Sequence, residues 1–276
     1  MNTRFAQSAF GAVLLAIILA PVAWLFLLSF KPIGETYSLP IRWLPQNPTL
    51  DAYRQIWFSG GLSSDWVTYL VNTSAVSVFV AAISAFGGLY MGYVLARSRQ
   101  KWVRPVLVLI VVVQLLNGPA LIVPVYALAN ALGLYNTLVG YAAVLVAFML
   151  PFATLISVGY AKDMPIDLEE AGYVDGATRG QVFRRIFVPL ARPAILTTGL
   201  MTFLLTWGEY PFAIVLLESR ENLTVARGMF ELISGLNIYW NQMAAAAVVV
   251  SLPVLVVLLI AQRYLVRGLM SGATKG

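Results

Sequence analysis

From Pro105 to Ala161, fifty-seven consecutive residues carry no formal charge. Helices of soluble proteins set an apolar stripe against a charged face, and a run this long leaves no residues for that face. The composition points the same way. The chain is 60% hydrophobic and 11% charged, against about 25% charged for a soluble domain, with a mean hydropathy of +0.81. Such a chain belongs in a bilayer, where each backbone N–H and C=O must be paired within the protein. The expected fold class is therefore an all-α polytopic membrane protein.

A spanning helix needs about 20 mostly apolar residues. Six stretches qualify: 8–30, 67–96, 105–129, 137–160, 194–217 and 241–262. The long uncharged run supplies two of them, with a turn expected between Asn130 and Asn136, where Asn and Gly interrupt the apolar pattern. The first stretch exceeds the 7–15 residues of a signal-peptide core and reads as a retained helix. Residues 1–276 thus read as one transmembrane domain, with short loops and surface helices at 31–65 and 218–240. If the N-terminus lies inside, thirteen of the eighteen basic residues also fall inside, leaving Lys31, Arg42, Arg54, Arg220 and Arg227 outside. That asymmetry places both termini in the cytoplasm.

Several functions are excluded or disfavoured by what is missing. Without Cys there is no disulfide framework and no thiolate metal site, and without His the commonest general base is gone. No Gly-Lys dipeptide occurs, so the chain has no Walker A loop for ATP. No catalytic residue, metal site or bound cofactor is expected. The net charge of +6 reads as basic residues retained on the inner side of a membrane, and no nucleic-acid partner is expected.

Residues 162–193 interrupt the apolar pattern with ten of the thirty charged residues. A segment so charged and helix-prone reads as a helical hairpin on the membrane surface, offered to a soluble partner. Asp167 is placed to cap its first helix, with Glu170 at the third position reaching back in a capping box. Asp167, Glu169 and Glu170 suit the positive end of that helix. Gly176 suits a bend with φ > 0, or an ordinary C-cap. Arg179, Arg184 and Arg185 fit partner contacts and retained inner charges equally well. Ile186, Phe187 and Val188 form the apolar side of a second helix, and Pro189 and Pro193 mark re-entry into the membrane.

The same loop resembles the EAA signature of ABC-importer permeases: Glu-Ala-Ala, three residues, Gly, nine residues, Ile, one residue, Leu-Pro. Glu170, Ala171, Gly176, Ile186 and Pro189 match, while Gly172 and Val188 stand where the pattern has Ala and Leu. Asp175-Gly176-Ala177 is similar to the Asp-Gly-Ala of the carbohydrate branch. So are Asn72-Thr73, Tyr93-Val94-Leu95-Ala96-Arg97, the turn Leu132 to Thr137, and Trp207-Gly208-Glu209-Tyr210, in which Gly208 replaces Asn. The tail from Arg267 to Gly276 resembles that of MalG-type subunits.

The resemblance implies the type I ABC-importer permease fold and sugar import by alternating access. The implied partners are a MalF-like second permease, two P-loop ATPases holding the ATP and Mg, an extracytoplasmic solute-binding protein, the sugar and membrane lipid. It also implies that Glu169, Glu170, Ala171, Gly172, Asp175, Gly176, Ala177, Ile186 and Pro189 couple to an ATPase, and that Gly272 and Lys275 contact it from the tail.

Glu209 is the one acid within a span. It is expected to hydrogen-bond sugar hydroxyls, to hold a helix break beside Pro211, or to sit at the interface. Trp207, Tyr210, Gln114 and Asn117 complete a candidate substrate path, although Trp and Tyr also populate membrane interfaces. Asn117, Gln114 and Pro119 equally suit a kinked backbone. Competing readings are a permease for glycerol-phosphate-type solutes and an ATP-independent transporter built on Glu209.

Overall fold

The computed structural model describes residues 3–58, 63–115, 118–234 and 237–273. In chain order, α1 (Thr3–Ser29) leads to α2 (Ile33–Thr36), α3 (Asp51–Trp57), the long α4 (Ser63–Arg97), α5 (Val103–Leu115), α6 (Ile122–Ala131) and α7 (Leu138–Asp163). The charged loop forms α8 (Asp167–Val174), α9 (Arg179–Val182), a π-helical turn (Phe183–Phe187) and α10 (Val188–Leu190). Then come α11 (Arg192–Trp207), α12 (Pro211–Leu216), α13 (Val225–Glu231), the two-residue strands β1 (Ile233–Ser234) and β2 (Asn237–Ile238), and α14 (Trp240–Ala273). The strands pair antiparallel, Ile233 opposite Ile238. They are the only departure from an all-α fold among the described residues.

Among the described residues, four helical segments are each long and apolar enough to cross a membrane: Phe10–Ser29, Asp65–Arg97, Leu138–Asp163 and Trp240–Gln262. The pair Arg179–Leu190 and Arg192–Trp207, which meet at 71°, would make a fifth only if counted as a single broken span. Two expected spans are not continuous helices. The stretch 105–129 holds α5 and α6, with a 3₁₀ turn at Gly118–Leu121 before α6. The stretch 194–217 divides into α11 and α12 around Gly208, Glu209 and Tyr210. Proline supplies a physical reason for both, because Pro119 and Pro211 have no N–H to extend a helix that precedes them.

The chain forms two compact units. The first comprises residues 1–70 and 227–253. Ala52, Ile56, Trp66, Tyr69 and Leu232 are buried in it, and Trp66 lies 6.0 Å from Trp57 and 5.7 Å from Tyr69 between ring centres. Lys31 is buried, donates to the Arg42 carbonyl and lies 4.4 Å over the Trp24 ring. Phe10, Ile17, Ile18 and Val22 of α1 are exposed, an apolar surface suited to lipid or to a neighbouring membrane subunit.

Glu35 organises the loop after α2. Its carboxylate accepts from the backbone amides of Gln46 and Asn47 at 3.0 and 3.1 Å. The Gln46 bond is the main reason its pKa falls below the ordinary value of 4.5. A depressed carboxylate pKa favours the folded loop above the unfolded pKa, and that contribution disappears as pH falls through the folded pKa. Hydrogen exchange at Gln46 and Asn47 should therefore accelerate as pH falls below the usual glutamate range, after correction for intrinsic exchange. In Glu35→Gln the same two amides should exchange fast at neutral pH, with that acid-side acceleration gone.

The second unit comprises residues 71–226 and 254–276. Within it α4 approaches α7 closely. A Cβ on Gly88 would lie 2.6 Å from the Ala153 Cβ, and one on Gly92 would lie 2.5 Å from the Ser157 Cβ. Both would also come within 2.9 Å of α7 backbone atoms. This is a small-xxx-small contact on both helices, the form that lets helix backbones approach closely in lipid.

Candidate functional site

The charged loop folds from local signals, though not all of the expected ones. α8 starts at Asp167 itself, with Ile166 as N-cap and no side-chain capping bond. The Glu169 and Glu170 amides are instead satisfied by the Ile166 carbonyl at 2.9 and 3.0 Å. The capping explanation for Glu170 therefore falls away. The capping box lies one helix later: Thr178 Oγ1 accepts from the Gln181 amide, and Gln181 Oε1 accepts from the Thr178 amide. The spacing Thr-x-x-Gln announces such a box in the sequence.

Gly176 has φ +79. Its N–H reaches the Tyr173 carbonyl and the Ala177 N–H reaches the Gly172 carbonyl, both at 3.0 Å. This pair of bonds is a Schellman motif, which closes α8 and turns the chain toward α9. Gly172 lies under the second helix, where an added Cβ would meet Ile186 Cδ1 at 2.6 Å. Gly172, Gly176 and Ile186 thus build the hairpin from within.

The two adjacent acids separate. Glu169 is 2% exposed. Its Oε1 accepts Arg97 Nε and Nη2 at 2.9 and 2.7 Å, and its Oε2 accepts the Tyr93 hydroxyl at 2.9 Å. Arg97 Nη2 also donates to the Met164 carbonyl at 3.1 Å. Sequence reasoning grouped Glu169 with the partner-contact residues, but the fold turns it inward. Glu170 and Ala171 are exposed, as are Asp175 and Pro189, and Val174 is 86% exposed. Among the described residues, Glu170 makes no side-chain hydrogen bond or ion pair. Val174 was missed; its place one turn after Glu170 puts it on the same face.

Beneath the hairpin, Leu89, Ala161, Met164, Phe187 and Ala191 form a buried cluster. Tyr93 packs on Phe187 and Phe183, with ring centres 4.5 and 5.0 Å away. A cavity of about 1210 Å³ opens beside it, lined by Tyr90, Arg97, Trp102, Glu170, Arg184 and others. Arg179, Arg184 and Arg185 are exposed, and none makes an ion pair among the described residues.

The broken span has its own logic. Glu209 Oε1 accepts from the Phe212 amide at 2.8 Å, and Oε2 accepts from the Ala213 amide at 3.2 Å and the Tyr141 hydroxyl at 2.8 Å. The carboxylate thus satisfies amides that the helix break leaves open at the start of α12, which is the helix-break role among those considered. Trp207 is buried and packs 5.3 Å from Phe203, whereas Tyr210 is exposed. Gln114 donates to the Phe148 carbonyl at 3.2 Å. Asn117 and Lys275 lie outside the described residues, and Gly272 falls in the last turn of α14.

The loop after α6 is held by Asn136, at φ 53. Its Oδ1 accepts from the Glu218 and Ser219 amides, both at 2.9 Å. Asn136→Ala should cost about 2–3 kcal/mol, from two orphaned amides and a left-handed Ala. Asn136→Gly should cost less, and thermal melts in detergent would rank the two.

These features define a polytopic membrane permease subunit of an ABC importer, built around a surface helical hairpin. The family described as "Binding-protein-dependent transport system inner membrane component" matches residues 84–271, and the chain belongs to it. It is 32% identical to the "Inner membrane ABC transporter permease protein YcjP" of Escherichia coli K12, over 96% of this chain and 94% of that one. It is also 32% identical to the "Trehalose transport system permease protein SugB" of Mycobacterium tuberculosis, over 94% and 93%. The fold matches a chain of a bacterial ABC transporter that imports the acidic polysaccharide alginate, with TM-score 0.77 and 21% identity over 94% of this chain and 95% of that one.

Proposed function

We propose that this permease subunit moves a neutral sugar inward, with both termini and the 162–193 hairpin in the cytoplasm. It does so in complex with a MalF-like second permease, two ATPases that handle ATP and Mg, and an extracytoplasmic solute-binding protein. The observation that carries the proposal is the outer face of α8. The hairpin is capped and packed from within, yet it presents Glu170 beside an exposed Val174, with no partner for that carboxylate among the described residues. An exposed acid beside an apolar knob is the chemistry of a docking surface, completed by a basic residue and an apolar cleft on the ATPase. The charge asymmetry of the loops supports the same orientation.

The absence of any Lys or Arg in 105–161 and 194–217 favours a neutral cargo, and the trehalose relative supports a sugar. Glu209 is engaged by its own chain at both oxygens, which accounts for an acid in that span without a proton- or cation-transfer role. The test is purification of the chain from its native membrane in mild detergent, followed by reconstitution. A second permease, a P-loop ATPase and a sugar-binding protein should co-purify and support ATP-dependent uptake. Uptake by the chain alone without ATP would overturn the proposal in favour of the Glu209 transporter.

A further inference from the structure

We propose that Arg97, Tyr93 and Glu169 form a rigid tie that carries movement of α8 directly into α4, making Arg97 and Glu169 positioning residues for energy coupling. The inference deepens the permease reading and rests on it. By chain, α8 is joined to α7 through residues 164–166 and to α11 through Gly176, the second helix and a 71° bend. No covalent connection of comparable length leads to α4, because Arg97 and Glu169 are 72 residues apart. The tie supplies that connection at a single point.

Its geometry suits the task. Both carboxylate oxygens of Glu169 are engaged by α4, one by Arg97 through two nitrogens and the other by Tyr93. Arg97 also holds the Met164 carbonyl, fixing the approach to α8 as well as the helix. The side chains of Arg97 and Glu169 are 17% and 3% exposed, and Tyr93 seals one side by packing on Phe187. In such surroundings neither charge can separate from the other without a large desolvation penalty, so the two helices move together.

The neighbouring residue, Glu170, lies about 100° further round the helix and is exposed. One helix therefore holds α4 at Glu169 and offers the next position to the partner. Further along, α4 is locked to α7 at Gly88 and Gly92, so a displacement entering at Arg97 reaches both long helices.

The test uses the complete transporter in proteoliposomes and reads the number of ATP molecules hydrolysed per cargo molecule imported. Glu169→Gln keeps the side-chain shape and leaves the Glu170 face untouched, so the ATPase should remain in the purified complex. The ratio should rise at least about tenfold, equivalent to the loss of one charge-assisted hydrogen bond. Tyr93→Phe should raise it less, and Arg97→Lys should also raise it, because an ammonium cannot reproduce the forked contact. An unchanged ratio with a lower yield of complex would show a purely structural pair and overturn the inference. Failure of both Glu169→Gln and Tyr93→Phe to assemble would overturn it too. A wild-type complex without cargo-dependent ATP hydrolysis would instead overturn the permease reading itself, before any variant is compared.

Discussion

Gly92→Leu is expected to abolish the folded transmembrane unit or lower its stability by about 3 kcal/mol or more, at the upper end of overpacking effects. Even the first carbon of the new side chain would sit 2.5 Å from the Ser157 Cβ and 2.9 Å from the Ser157 carbonyl carbon and Val158 nitrogen. Backbone atoms in a hydrogen-bonded helix cannot rotate aside, so α4 and α7 would have to separate. Separation would open a gap along the whole contact, including the Gly88 crossing one turn earlier. In lipid, apolar surface gains little from pairing as such, and the close packing itself supplies the attraction, so its loss is not offset elsewhere. Gly159→Ala on the same α7 is the control: nothing lies within 4 Å of its added carbon. It should be neutral or stabilise by up to about 1 kcal/mol. Thermal melts in detergent, with size-exclusion profiles, would separate the two. A Gly92→Leu protein that melts with the wild type would refute the close-packed interface.

Glu170→Ala should behave in the opposite way, leaving the fold intact and removing the partner. Its side chain is exposed and makes no bond among the described residues, so folding stability should change by less than about 0.5 kcal/mol. If the carboxylate meets an arginine of the ATPase, truncation leaves that charge unpaired at a desolvated interface, a loss of about 2–5 kcal/mol. At the lower end this weakens docking roughly thirtyfold. Binding of the purified ATPase to the reconstituted permease pair, with substrate-stimulated ATP hydrolysis, would measure it. Equal affinity and stimulation in the variant would remove Glu170 from the interface. The contrast with Glu169 is sharp: two adjacent acids of one helix, one expected to act on docking and the other on the transmission of movement.

Much of this was legible in the residues themselves. Uncharged length set the helical membrane class, because lipid offers no partner for a backbone amide. The spacing from Glu170 through Gly176 and Ile186 to Pro189 identified the hairpin, and Gly176 adopts the positive φ allowed for it. The break at Glu209 was among the roles weighed for that residue, because a proline two positions later lacks the N–H for one helix hydrogen bond. The Gly88–Gly92 pair was equally readable as a GxxxG pattern in an apolar helix, and it was overlooked.

Other features depended on three-dimensional proximity. Glu169 and Glu170 are the same residue type at successive positions, and local pattern gives no way to assign one inward and one outward. That choice follows from Arg97 and Tyr93, more than seventy residues earlier, meeting Glu169 across the α4 contact. Asn136 looked like a turn residue. Only the fold sets its side chain against amides more than eighty residues away. Sequence alone determined what each segment must bury and where the chain must turn, since burial and backbone pairing act over a few residues. The tertiary structure decided which charges pair and which stay free, because a carboxylate's partner is set by which helices pack together.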